Sequence, residues 1–353
     1  MSGGVDSAVA AGLLRERGYD VVGVTMKMYA PSKPAMAKSC CGAQDFDDAR
    51  ASAAHLGIPH YVLDFEEAFE RQVIRRFAAD YRAGRTPNPC VACNNFVKLG
   101  TLRQFAGRIG ARYVATGHYA RLEHGETGPR LFRGDPEKDQ SYPLAQLTPA
   151  QLGDLLLPLG DMTKRETRGH ALRLGLAVHD KAESQDICFV EGGDYREVLA
   201  RSAAESEPAG SVVTVQGERV GSHAGISHFT VGQRRGLPAT HFNDGPRYVT
   251  NIDARTNTIV IGREVELLSN ALVAGSVNLL RPELFSGPEP VPVRAMTRYR
   301  SPLGSGMAAL ASDGRLRVVF DIPERAVAPG QLVALYDESG DEVLAAATIE
   351  EAL

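Results

Sequence analysis

The residues best equipped for chemistry stand in three places. Ser2-Gly3-Gly4-Val5-Asp6-Ser7 opens the chain, Cys90-Val91-Ala92-Cys93 follows in its first third, and Cys188 lies far downstream in Ser184-Gln185-Asp186-Ile187-Cys188-Phe189. The first string runs into a segment where Val9, Leu13 and Leu14 recur at helical spacing and Gly18 stands where a helix would stop. Its glycines let the backbone approach an anion. The hydroxyls of Ser2 and Ser7 join the unpaired N–H groups of the helix start as donors. Asp6 could hold Mg2+ or cap the helix. A plain Asp/Ser cap after a glycine turn is the simpler alternative, but the complete S-G-G-x-D-S string before an amphipathic helix points to phosphate. No G-x-x-x-x-G-K-[ST] string is present, so this is not a Walker loop.

The five cysteines are Cys40, Cys41, Cys90, Cys93 and Cys188. An odd count without a secretory signal argues against a disulfide framework and leaves metal binding or thiol reactivity. Thr86-Pro87-Asn88-Pro89 presents the C-x-x-C on a loop stiffened by two prolines. Three chemistries compete for these thiols. One is zinc, with Cys40 or Cys41 as a further ligand. Another is an iron–sulfur cluster, of [4Fe-4S] type, held by Cys90, Cys93 and Cys188 with one iron open. The third is a sulfur relay, in which one thiolate carries a persulfide and another attacks it.

Elements that could position these groups alternate through the first half. Val21 to Met26 reads as a buried strand. Phe46, Ala49, Ala53 and Leu56 form a helical face stopped by Gly57, and Tyr61-Val62-Leu63 is a second strand. Helices carrying Phe69, Val73, Phe77 and Tyr81, then Leu99, Leu102, Phe105 and Ile109, precede a strand over 112–116. This rhythm predicts an α/β domain with a parallel sheet covered by helices on both faces, its ligand lying beyond the carboxyl ends of the strands near Met26, Asp64 and Gly117. Past Asp194 the texture changes to short β runs at 212–215, 248–252, 258–261, 291–295, 316–320, 332–336 and 343–349. These predict a small β-rich module and then a C-terminal β-barrel, with the Pro-rich 286–292 stretch as a loop. The expected domains are 1–193, 194–264 and 265–353.

At 353 residues, 43% hydrophobic and 23% charged, the chain has an ordinary globular composition. No apolar run is long enough to span a membrane, and the expected compartment is the cytoplasm. A net charge of −4 does not announce a nucleic-acid partner. Local basic groups do exist at Arg71, Arg75, Arg76, Arg82, Arg85, Arg234, Arg235, Arg298 and Arg300, and each alone passes as a solvated face.

The opening loop resembles the pyrophosphate loop of the N-type ATP pyrophosphatases, whose fold is adenine nucleotide alpha hydrolase-like. The whole chain resembles the tRNA-specific 2-thiouridylase family. The resemblance rests on that loop and the two cysteine motifs, with Cys40-Cys41-Gly42, Ala115-Thr116-Gly117-His118-Tyr119, Lys138-Asp139-Gln140-Ser141-Tyr142, Gly232-Gln233-Arg234-Arg235-Gly236-Leu237, Arg298-Tyr299-Arg300 and Pro329-Gly330-Gln331 in the same order. It implies that Ser2, Gly3, Gly4, Val5, Asp6, Ser7, Met26 and Gly117 hold ATP, with Mg2+. It places the target uracil against Asn88, Pro89 and Cys90. It gives Cys188 the persulfide and Cys93 the paired catalytic role, with a Cys93–Cys188 disulfide as an outcome. It assigns tRNA contacts to His118, Lys138, Asp139, Gln140, Arg298, Tyr299 and Gln331. The implied partners are a tRNA with a wobble uridine and a persulfide donor, either a cysteine desulfurase or a relay protein.

Relatives carry an apolar strand ahead of S-G-G-x-D-S, and here Met1 directly precedes Ser2. The expectation is a start site set too late in the gene. Some relatives have aspartate where Cys90 stands, which keeps the cluster alternative open. Two rivals remain at this stage. An amide-forming ATP pyrophosphatase would not need Cys93 or Cys188, and a tRNA-binding protein without turnover would release no pyrophosphate.

Overall fold

The computed structural model describes residues 1–29, 42–182, 187–190, 193–202, 207–238, 242 and 245–353. Cys40, Cys41 and the Ser184-Gln185-Asp186 part of the downstream cysteine motif lie outside the described residues. The chain forms two compact units. The first comprises Met1–Ile74 and Pro89–Tyr195, the second Arg75–Asn88 and Arg196–Leu353. The short segment that leads to the C-x-x-C therefore belongs with the carboxyl-terminal half.

In the first unit the phosphate-loop candidate enters helix α1 (Val5–Glu16), whose Val5, Ala8, Val9 and Leu13 are buried. Strand β1 (Gly23–Lys27), helix α2 (Ala43–His55) and strand β2 (His60–Asp64) follow, and β1 pairs with β2 in parallel from Gly23 opposite His60 to Lys27 opposite Asp64. Helix α3 (Glu66–Phe69) continues as a π-helical turn over Glu70–Ile74, and α4 (Arg75–Arg82) opens the second unit's share. Helix α5 (Pro89–Ala92) leads into a π-helical stretch, Cys93–Thr101, and then α6 (Leu102–Arg108). Strand β3 (Val114–Ala115) precedes an antiparallel hairpin of β4 (Ala120–Gly125) and β5 (Gly128–Arg133). Helix α7 (Pro149–Gly153) and strand β6 (Leu155–Leu156) follow, with β6 parallel to β3. Helix α8 (Lys164–Arg173) packs on α1, and one apolar core joins Val9, Leu13, Ala53, Leu56, Leu159, Ala171 and Leu176.

The expected α/β character is present, but the parallel hydrogen bonding falls into two separate pairs, β1–β2 and β3–β6, rather than one sheet. Hairpin β4–β5 was not anticipated.

The second unit begins, after α4, with helix α9, Tyr195–Arg201, whose first residue belongs to the other unit. Strands β7 (Gly210–Thr214), β8 (Arg219–His223), β9 (Tyr248–Asp253) and β10 (Thr258–Gly262) make one sheet in the order β8-β7-β10-β9. The last 90 residues or so close into a barrel, as alternation in the sequence suggests. Its strands are β11 (Leu268–Leu279), β12 (Val291–Met296), β13 (Gly304–Leu310), β14 (Leu316–Arg325), β15 (Leu332–Tyr336) and β16 (Val343–Ala352), ordered β11-β14-β13-β12-β15-β16. Leu272, Val293, Ala308, Val318, Val333, Leu335, Ala345 and Ile349 fill its interior. The 286–292 stretch is loop only to Pro290; Val291 and Pro292 already pair with Ala308 and Met307.

Candidate active site

The opening loop is held from several sides within the first unit. Ser2 and Ser7 face each other across it, with the Ser2 N–H donating to Ser7 Oγ at 3.0 Å and the hydroxyls 3.2 Å apart. Asp6, in the first turn of α1, accepts from the Tyr119 hydroxyl and from Lys164 Nζ, each at 2.7 Å. Lys164 is the first residue of α8, where the helix dipole disfavours a cation. Its pairing with Asp6 offsets that cost. Lys181 closes the other flank, donating to the Gly3 carbonyl at 3.1 Å, to Asp45 at 2.6 Å and to Asp48 at 2.5 Å. Burial alone would lower the Lys181 pKa, but the hydrogen bonds from its two carboxylate partners outweigh it and leave the ammonium above its ordinary value. Gly117 presses against the same turn: a Cβ there would lie 2.7 Å from the Asp6 carbonyl carbon. Met26 is opposite Leu63 near the carboxyl end of β1.

Sequence reading named the loop, Met26 and Gly117, and missed Tyr119, Lys164 and Lys181. One signal was available for Lys164. Thr163-Lys164-Arg165-Glu166 is a Thr-x-x-Glu capping box, and the structure forms it, with Glu166 N donating to Thr163 Oγ1 at 3.2 Å and Thr163 N to Glu166 Oε2 at 2.8 Å. A lysine at the first position of a capped helix needs an outside anion.

His118 follows Gly117 and shares a 2.8 Å hydrogen bond between Nδ1 and Thr116 Oγ1. Burial first, and the nearby Lys98 ammonium second, lower its pKa from 6.5 to about 3. It is therefore a neutral group at physiological pH and can contact RNA only as a hydrogen-bonding partner. Between pH 6.5 and about 3 the unfolded chain binds a proton that the folded chain refuses, so stability falls as pH drops through that window. Replacing His118→Gln removes this proton while keeping a polar side chain. The melting temperature of that variant should decline less steeply than wild type between pH 6.5 and 4.5, as followed by calorimetry. Equal slopes for the two proteins would contradict the assignment.

The other predicted contact residues divide by geometry. Asp139 is buried and its carboxylate is fully engaged, accepting from Arg133 Nε, Gly134 N, Ser141 N and Ser141 Oγ at 3.0–3.1 Å. Gln140 exchanges two bonds with the Tyr119 backbone, Gln140 N to Tyr119 O at 2.8 Å and Tyr119 N to Gln140 Oε1 at 2.9 Å. Both face inward and steady the strand that delivers Tyr119 to Asp6. Lys138, between them and the turn at Asp135, is half-buried. In the second unit Arg298 and Tyr299 are exposed, and the Arg300 guanidinium lies 5.2 Å from the Tyr299 ring centre. Gln331 donates from Nε2 to the carbonyls of Thr86 and Pro87 at 3.1 and 3.2 Å.

Cys93 is buried at the first position of the π-helical stretch, Cys188 is half-buried and Cys90 is exposed. Cys188 occupies the second position of a tight turn closed by Val190 N to Ile187 O at 3.0 Å. The next residue, Phe189, is buried edge-on against Phe69 of α3, with ring centres 5.7 Å apart. Helix α3 in turn packs on the stretch that Cys93 begins. One short helix thus seats the elements carrying both thiols. No group of three or more His, Cys, Asp or Glu side chains among the described residues is placed to hold a metal ion. The three-cysteine cluster set is therefore not assembled, and the zinc alternative involves Cys40 and Cys41, outside the described residues.

Residues 1–192 match the family described as tRNA methyl transferase HUP domain, 196–263 the tRNA methyl transferase PRC-barrel domain, and 269–349 the aminomethyltransferase beta-barrel domain. The chain is 44% identical to the tRNA-specific 2-thiouridylase MnmA of Pelotomaculum thermopropionicum, over 99% of this chain and 96% of that one. It is 46% identical to the protein of the same name from Rhodospirillum rubrum, over 98% and 93%. Among solved structures, the U34-tRNA thiolase NcsA of Methanococcus maripaludis with its [4Fe-4S] cluster aligns at a TM-score of 0.34 and 16% identity, over 57% of this chain and 62% of that one, too slight a likeness to bear on function. With full-length relatives this alike, the chain belongs to the tRNA-specific 2-thiouridylase family.

Proposed function

We propose that the protein is an ATP-dependent tRNA-uridine 2-sulfurtransferase that adenylates a wobble uridine and then replaces its C2 oxygen with sulfur. The observation that supports this most is the pairing, within one compact unit, of a loop braced by Lys164 and Lys181 with two cysteines carried on elements that pack against α3.

The uridine C2 oxygen is a very poor leaving group. Its attack on the α-phosphate of ATP forms an O–P bond, expels pyrophosphate and turns that oxygen into part of AMP. Loop N–H groups, the Ser2 and Ser7 hydroxyls and the two lysines oppose charge building on the phosphates. Lys164, now on Asp6, is within reach of the loop that would hold them. Mg2+ would enter with the nucleotide, held by its phosphates and the Asp6 carboxylate, and would neutralise charge there. A persulfide on Cys188 attacks C2, forming a C–S bond as AMP departs. The Cys93 thiolate then attacks Cys188 Sγ, breaking the sulfur–sulfur bond, releasing 2-thiouridine and leaving a Cys93–Cys188 disulfide. A thiol reductant supplies the two electrons that reopen it.

Lys138 of the first unit and Arg298 and Tyr299 of the second are proposed to contact tRNA, and Asn88, Pro89 and Cys90 to receive the uracil. The half-buried turn at Cys188 suits reloading by a persulfide-bearing protein. The deciding experiment incubates the protein with ATP, a sulfur donor and tRNA, and measures pyrophosphate and 2-thiouridine together. Stoichiometric formation of both, dependent on tRNA, is expected. Pyrophosphate release that follows an amine acceptor and ignores tRNA would favour the amide-forming alternative.

A further inference from the structure

The connection between β14 and β15 takes hold of the chain just before Asn88, within the second unit. Thr86 N donates to Pro329 O at 2.7 Å, and Gln331 Nε2 donates to Thr86 O and Pro87 O. Pro87 has no N–H. The hydrogen-bonding groups of this two-residue backbone are therefore all satisfied from one three-residue turn. Only an amide nitrogen can face two carbonyl oxygens, so the orientation of the Gln331 side chain is dictated by its surroundings. Gly330 lies between, at φ +92°, and a Cβ on it would come within 2.8 Å of Arg85 Cβ and 2.9 Å of Thr86 N. The turn itself is tied to the barrel by Gly330 N to Ile349 O and Ile349 N to Gln331 O, both 2.8 Å. From the other side Arg85 is fixed by Nε and Nη2 on Asp80 Oδ1, at 2.9 and 2.5 Å.

We infer that Gln331 is a positioning residue: through it the barrel fixes the backbone of Thr86 and Pro87, and so the presentation of Asn88 to the target uridine. This rests on the function proposed above. Its Nε2 donors are both directed at the protein's own backbone, so Gln331 acts in the reaction through that loop. Gln331→Glu has the same shape but turns a carboxylate toward two carbonyls, and should be worse than Gln331→Ala.

Two measurements test this on the full-length protein. Hydrogen exchange without ATP or tRNA should show the Thr86 amide exchanging about tenfold faster in Gln331→Ala at unchanged melting temperature, and likewise faster in Gly330→Ala, whose melting temperature should fall. Thiolation kcat should fall about 10- to 100-fold in both, since small misplacements of a reacting group cost that much, with the tRNA KM within about twofold. Unchanged exchange would overturn the proposal. So would a raised tRNA KM with kcat retained, the signature of a direct RNA contact. A wild-type protein that thiolates no tRNA would overturn the functional reading and the uridine half of the proposal, while exchange would still decide the backbone half.

Discussion

Serine at Cys188 is expected to leave tRNA-dependent pyrophosphate release within about threefold of wild type while 2-thiouridine formation drops about 1,000-fold or more, because only the second half of the reaction needs that sulfur. The Cys188 side chain is half-buried on a turn anchored by Phe189, so the change should not disturb the fold. Serine at Cys93 should fail at a different point. The persulfide can still attack the adenylated base, but nothing then cleaves the bond to Cys188. Under single-turnover conditions without added thiol, a tRNA–protein adduct should accumulate and dissolve when dithiol is supplied. Mass analysis of nucleosides and a non-reducing gel report the two outcomes. Retained thiolation in either variant without added thiol, or loss of pyrophosphate release in Cys188→Ser, would refute the division of labour between the thiols.

The distinction matters because the fold offers both cysteines little freedom. Cys93 is buried where the helix changes to π spacing, a local irregularity that re-aims side chains and often marks function. Cys188 is half-buried on its turn, which suits the carrier role proposed for it. A buried attacking thiol and a reachable carrier thiol are different tasks, and the burial of each matches the task assigned to it.

Much of this was legible in the sequence, for physical reasons that can be named. Strands β7, β9, β10, β12, β14, β15 and β16 carry apolar or alternating runs bounded by turn residues, and were recognised with ends off by a few positions. Strand β11, the longest with β14 and β16 in the barrel, was missed because Ser269, Asn270, Gly275, Ser276 and Asn278 break its alternation; the barrel tolerates them through register shifts against both neighbours. Strand β13 was missed because Gly304 and Gly306 read as turn residues. In the fold a side chain at Gly306 would collide with the Val319 carbonyl, so the glycine serves close strand approach. The phosphate loop was visible as a string. Its supports were not, because Lys164 and Lys181 stand more than 150 residues away from it and a lysine carries no local signature of its distant partner. The inward turn of Asp139 and Gln140 was hidden for the same reason: a charged or amide residue in a polar string looks solvated until its partners are seen.

Adding a single methyl group at Gly117 should cost about 100-fold, and it should do so at the first chemical step. The Cβ of Gly117→Ala would stand 2.7 Å from the Asp6 carbonyl carbon and 2.9 Å from its Cβ and carbonyl oxygen. Two of these are backbone atoms of the loop and the third is bonded directly to it, so none can swing aside as the far end of a flexible side chain would. The loop must shift, and with it the Asp6 oxygen on which Tyr119 and Lys164 converge. Displacing donors by about 1 Å from a developing phosphate charge is enough to cost about 100-fold. Pyrophosphate release in Gly117→Ala should therefore fall by about that factor, with 2-thiouridine formation falling in parallel, and Gly117→Val should be worse. Calorimetry of the same variant separates this from simple unfolding, since Val5 and Tyr119 beside the contact share one core with Val9, Leu13 and Ala53. Should Gly117→Ala instead release pyrophosphate at the wild-type rate, the segment would have no part in holding the nucleotide, and the anion loop would have to work without it.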